Sequence, residues 1–151
     1  LEGEYQFWQN WVATRVPEAY PGMREILERY KARGGKIAVV SHSVSDVIRR
    51  DYRGNGLPEP DLIFGWELPP EHRKPHVWPL EQIMAEFQLA PDQLLMLDDL
   101  KPGYDMCRAA GVPFAAAGWA NDIPEIEGYM RRNCDYYFKT LAAFGNFLEQ
   151  Q

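Results

Sequence analysis

The chain has 151 residues and a mass of 17.5 kDa, a size suited to one domain, and its 46% hydrophobic and 13% aromatic content supplies material for a core. With 16 Lys and Arg against 22 Asp and Glu, the net charge is −6 and no basic block occurs, which argues against nucleic acid or an anionic membrane as partner. No apolar run approaches the roughly 18 residues of a membrane span and no basic segment leads into an apolar signal core, so the expectation is a soluble, cytoplasmic protein. Cys107 and Cys134 lack metal-ligand spacing and are too few for a disulfide framework; they read as buried free thiols in a reducing compartment.

In chain order, "EYQFWQNWVATRV" places Phe7, Trp8, Trp11 and Val12 on one helical face. Residues 1–19 therefore read as a helical segment, either the tail of a small cap or core packing, ahead of an α/β domain at 20–151. After "PEAYPG", Met23, Ile26, Leu27 and Tyr30 recur at helical spacing. "GGKIAVV" is a glycine stop followed by a short, β-branched apolar run, the pattern of a buried strand, and "SHSVSDVIRRDY" follows as a helix with Ser43 and Asp46 spaced as a partial capping signature.

The unit then recurs. "DLIFG" (61–65) reads as a strand, "HVWPLEQIMAEF" (76–87) as a helix, "LLML" (94–97) as a strand and "GYDMCRAAG" (103–111) as a helix closed by glycine. "VPFAAAG" (112–118) and "DYYF" (135–138) are further strands, with helices over 122–132 and 141–150. Alternation of this kind implies parallel pairing through right-handed crossovers, hence a doubly wound α/β sheet with helices on both faces.

Ligands of such sheets bind beyond the carboxyl ends of the strands. Ser41-His42-Ser43 follows one strand, Lys74 lies in the loop after another, and Asp98-Asp99 ends a third. A hydroxyl and helix N–H groups can donate to phosphoryl oxygens, a lysine neutralises them, and carboxylates hold a hard divalent cation. Each has a plainer reading: Ser41 as a turn residue, Lys74 as a solvated loop lysine. Adjacent carboxylates after an apolar strand are harder to dismiss, since one must point inward and a buried charge needs a partner. His72 and His76 are four apart, but Pro75 between them argues against a regular helix presenting both to a metal.

Strand-Ser, then Lys-Pro, then strand-Asp-Asp and a helix ending "RAAGV" together resemble the second, third and fourth motifs of the haloacid dehalogenase-like superfamily, over roughly Tyr20 to Ala120. The commonest members are Mg²⁺-dependent phosphatases. The resemblance implies that Ser41, with His42 beside it, binds the transferring phosphoryl group of a small phosphorylated metabolite. It also implies that Lys74 neutralises the reacting oxygens and that Asp99, with Asp98, helps hold Mg²⁺. An aspartate would attack in line, forming an aspartyl-phosphate that water hydrolyses.

Two features depart from that pattern. No strand ending Asp-x-Asp, the family's nucleophile motif, precedes Tyr20, and Leu1 is not a methionine. The expectation is that the first, central strand lies upstream of this chain and that the chain alone is inactive. The rival is a non-catalytic binding or regulatory domain with a relict metal site. Second, Gly103 stands where the family usually has an acid or Asn four residues after Asp99, and Asp105 follows two residues later, either as a partner to the metal ligands or as a charge at the helix N-terminus.

Overall fold

The computed structural model describes residues 18–151, so the aromatic stripe at Phe7–Trp11 and nearly all of the 1–19 segment lie outside the described residues. Helix α1 spans Met23–Ala32 after Gly22, whose φ of 94° suits a residue without Cβ. Strand β1 (Ala38–Val40) leads into α2 (Ser45–Gly54), and β2 (Leu62–Phe64) leads through a 3₁₀ turn at Pro70–His72 into α3 (Trp78–Phe87). Strand β3 (Met96–Asp98), α4 (Lys101–Ala110), β4 (Phe114–Ala117), α5 (Pro124–Asn133), β5 (Tyr136–Phe138) and α6 (Leu141–Glu149) complete the chain.

Every strand and helix expected between residues 20 and 151 forms, with shifted boundaries whose causes are local. The strand expected at "LLML" begins later, at Met96, because a 3₁₀ turn at Pro91–Gln93 precedes it, and the ladder opens with the Met96 N–H donating to the Pro113 carbonyl. Helix α4 starts at Lys101, two residues before Gly103, because Pro102 fits the first turn, where its missing N–H has no partner to lose. The capping signature at Ser43 and Asp46 does not form. Val44 is the residue before α2 and makes no side-chain cap, while Asp46 is fully exposed.

The strands are all parallel and form two ladders. In one, β1 pairs with β2, Val40 lying opposite Phe64; in the other, β4 is central, with Asp98 of β3 opposite Ala116 and Phe138 of β5 opposite Ala117. Among the described residues no ladder joins β1 to β3. Helical crossovers link the parallel strands, with α1 packed on α6 and α3 on α4, in a doubly wound arrangement.

One core nevertheless unites both ladders. Leu80 and Ile83 of α3, Met106 and Cys107 of α4, Phe114 and Ala116 of β4, and Met130 of α5 form a buried cluster. Val40 and Phe64 from the first ladder and Met96 from the second pack against it. All four residues of β4 are buried, and three of them are alanines. No helix among the described residues is long and apolar enough to cross a membrane.

Candidate functional site

The core brings the carboxyl ends of β1 and β3 to one rim, and the loop after β2 spans them. Ser41 extends the β1 ladder by one bond, its N–H donating to the Phe64 carbonyl at 3.0 Å. Its hydroxyl oxygen accepts from the Ser43 N–H at 3.0 Å, a turn that leaves the hydroxyl proton as a donor. His42 places Nε2 3.2 Å from the Lys74 carbonyl oxygen, a contact that puts the ring proton on Nε2, and its ring meets Trp66 edge-on. Hence His42 ties the residues after β1 to the loop that carries the lysine.

Lys74 Nζ lies 2.8 Å from Asp98 Oδ2, and only 13% and 14% of the two side chains remain exposed. The other Asp98 oxygen accepts the Asp99 N–H at 2.7 Å. Both carboxylate oxygens are therefore engaged, the arrangement a nearly buried charge requires. Gly103 now has a physical reason. A Cβ there would collide with the Asp98 carboxylate and come within 3.1 Å of its Cβ. The space that a side chain at 103 would fill is taken by Asp98.

Asp99 is in a different environment. Burial pushes its carboxyl above the ordinary value, and the hydrogen bond and charge of Asp98 push it further in the same direction. Its backbone carbonyl accepts from Asn121 Nδ2 at 3.4 Å, and its side chain faces a cleft shared with Gly118, Asn121, Glu127 and Tyr137. Asp105 pairs with Lys101 one turn away on α4, at 2.9 and 3.1 Å from its two oxygens.

Among the described residues no group of three or more His, Cys, Asp and Glu side chains is arranged to hold a metal ion. His72 stacks face to face on Trp78, with centroids 4.0 Å apart, and thus serves packing. The oxygen-only pair Asp98 and Asp99 still suits Mg²⁺, which typically takes one or two carboxylates and completes its shell with water and substrate phosphate. A cation near Asp99 would also offset the crowding that raises its carboxyl.

Sequence reasoning passed over Glu67, which receives the Ser45 N–H at 3.1 Å, and Arg73, whose guanidinium lies 3.7 Å from the Trp66 ring centroid. Neither stands in a motif, and no local signal marks either among the chain's many charged residues.

A family model described as haloacid dehalogenase-like hydrolase matches residues 4–117. A phosphoglycolate phosphatase of Haemophilus influenzae is 27% identical over 142 residues, covering 91% of this chain and 61% of the relative. One from Rhodospirillum rubrum is 32% identical over 96 residues, covering 62% and 39%. Among solved structures, a predicted phosphoglycolate phosphatase from Haemophilus somnus superposes with a TM-score of 0.73 at 25% identity, covering 87% of this chain and 56% of that one. CbbY from Rhodobacter sphaeroides, solved in complex with phosphate, shares the fold at a TM-score of 0.68 and 17% identity, covering 91% and 60%. The chain thus spans less than two thirds of the length of these relatives.

Proposed function

Because this chain belongs to the haloacid dehalogenase-like hydrolase family, we propose that it supplies most of the phosphate and metal machinery of a Mg²⁺-dependent phosphomonoesterase acting on a small phosphorylated metabolite. The observation that carries the reading is the ion pair of Lys74 with Asp98 at 2.8 Å, together with the contact of His42, the neighbour of Ser41, with the Lys74 carbonyl. The names of the relatives make 2-phosphoglycolate the first substrate to try.

In this reading the Ser41 hydroxyl donates to a non-bridging phosphoryl oxygen. Lys74 neutralises the negative charge that gathers as the ester bond breaks, and Asp98 keeps its ammonium at the rim. Asp99, assisted by Asp98, would hold Mg²⁺, which when bound supplies further charge neutralisation at the phosphoryl oxygens. The nucleophile is an aspartate outside this sequence, which contains no Asp-x-Asp. The unjoined edges of β1 and β3 support a strand seated between them as its carrier. On this reading 20–151 is the catalytic core.

The absence of an Asp-x-Asp also favours one rival, a non-catalytic regulatory domain with a relict metal site. Full-length protein assayed on p-nitrophenyl phosphate and 2-phosphoglycolate with and without Mg²⁺ separates the two. Mg²⁺-dependent turnover that Asp99→Ala abolishes supports the enzyme, whereas no turnover, or turnover unchanged by Asp99→Ala, refutes it. The 151-residue chain alone is expected to be inactive on the same esters, and a burst of covalent phosphoryl-enzyme from it would contradict the proposal.

A further inference from the structure

Two loops meet behind the rim through residues that the reaction itself does not use. Residues 41–44 lead from β1 into α2, and residues 65–75 lead from β2 and carry Lys74. The Trp66 N–H donates to the Ser43 carbonyl at 3.0 Å. The Ser45 N–H donates to Glu67 Oε2 at 3.1 Å, and the Ser45 hydroxyl makes a short hydrogen bond to Glu67 Oε1. The backbones touch as well: a Cβ on Gly65 would lie 2.8 Å from both the Ser43 carbonyl oxygen and the Ser45 nitrogen. Ser45 is 8% exposed, so the Ser45 end of these bonds is buried while Glu67 reaches it from the exposed side.

We infer that Glu67 is a positioning residue: its two-pronged hold on Ser45 locks the Ser41 loop to the Lys74 loop and thereby sets the spacing of the two phosphate-contacting groups. The inference rests on the reading of Ser41 and Lys74 given above. Burial alone would push the Glu67 carboxyl up, but its bonds to Ser45, its own backbone N–H and the charge of Arg49 outweigh burial and hold it below the ordinary value. It is therefore ionised at neutral pH, and a carboxylate accepts both Ser45 bonds at once. A carboxylate at the start of α2 also stabilises the helix. Capping alone, however, would leave the chemistry of the folded protein untouched.

Kinetics on the full-length protein, with amide exchange on the same samples, tests this. Glu67→Ala should lower kcat at least about tenfold while KM changes less than about threefold, because misplaced groups penalise the transition state above all. Exchange of the Trp66 N–H should quicken at least about tenfold as the loops separate. Glu67→Gln can accept from the Ser45 N–H and donate to its hydroxyl, so it should recover most of both losses. Should Glu67→Ala fail to fold, Ser45→Ala, which removes only the hydroxyl bond, should show the same pattern more weakly. A folded Glu67→Ala with kcat within about twofold of wild type would overturn the inference, as would equal impairment in Ala and Gln. Wild-type protein without Mg²⁺-dependent turnover would overturn the phosphohydrolase reading; the loop lock would then be judged by exchange alone, and unchanged Trp66 exchange in Glu67→Ala would refute it.

Discussion

Gly103→Ala sets two effects of opposite sign against each other. Gly103 is the third residue of α4 and is buried. Helix propensity alone predicts that alanine there stabilises the protein by about 1 kcal/mol. The added Cβ would, however, strike the Asp98 carboxylate, with Asp98 Cγ 3.0 Å and Cβ 3.1 Å away. Because the contact reaches back to Asp98 Cβ, rotation of the carboxylate relieves only part of it, and that rotation abandons both Lys74 and the Asp99 N–H. Hydrogen bonds involving a charged group contribute about 1.5–3 kcal/mol each. The side chains keep some exposure, so rehydration returns roughly half of that loss. Subtracting the helix gain leaves a net destabilisation of about 0.5–2 kcal/mol. Urea denaturation should show a lower midpoint at unchanged slope. In an Asp98→Ala background the carboxylate is gone, so the same change should be neutral or stabilising, a coupling that a double-mutant cycle reads directly. A raised midpoint for Gly103→Ala in the wild-type background, or equal destabilisation in both backgrounds, would refute the reasoning.

Other expectations follow from pairs and burial elsewhere in the fold. Asp61 accepts from Lys31 Nζ and from the Ile37 N–H, both at 2.8 Å; burial pushes its carboxyl up, but these bonds outweigh burial and leave it below its ordinary value of 3.8. A depressed folded-state value means stability that is fully present above the unfolded value and is lost as pH falls through the folded one. The stability gap between wild type and Asp61→Asn should therefore be widest near neutral pH and shrink below about pH 4; a gap that widens in acid would contradict this. The Cys107 thiol is fully buried and pushed up to about 12 by burial and the charge of Asp98, and burial pushes Cys134 to about 11. Ellman's reagent at about pH 8 should label Cys107 only on unfolding, and rapid labelling of Cys107 in the native protein would overturn that.

The fold class was legible from residues 20–151 because its signal is local. Runs such as "IAVV" and "LLML" are too short for helices and too apolar for a solvated strand, so only parallel strands covered on both faces accommodate them. Ser41 and Asp98–Asp99 could be placed at strand ends for the same reason, since the end of a buried strand is where polar residues can begin, whereas Lys74 could be placed only in the loop that follows β2. Boundaries were less legible: a proline moved a helix start and a 3₁₀ turn moved a strand start, each by two residues, and Ser43, spaced as a cap, makes none because Ser45 is bound from another loop. The pairings within the site were not legible at all. That Lys74 takes Asp98, 24 residues away, that Glu67 holds Ser45 across 22, and that Gly103 is glycine so that Asp98 can fold over it are all consequences of how separate loops pack. By itself the sequence determined which elements form and which residues reach the rim, because periodicity and strand-end polarity depend on near neighbours. Only the tertiary structure decided which of those residues touch, because such contacts depend on helices and ladders meeting around one shared core.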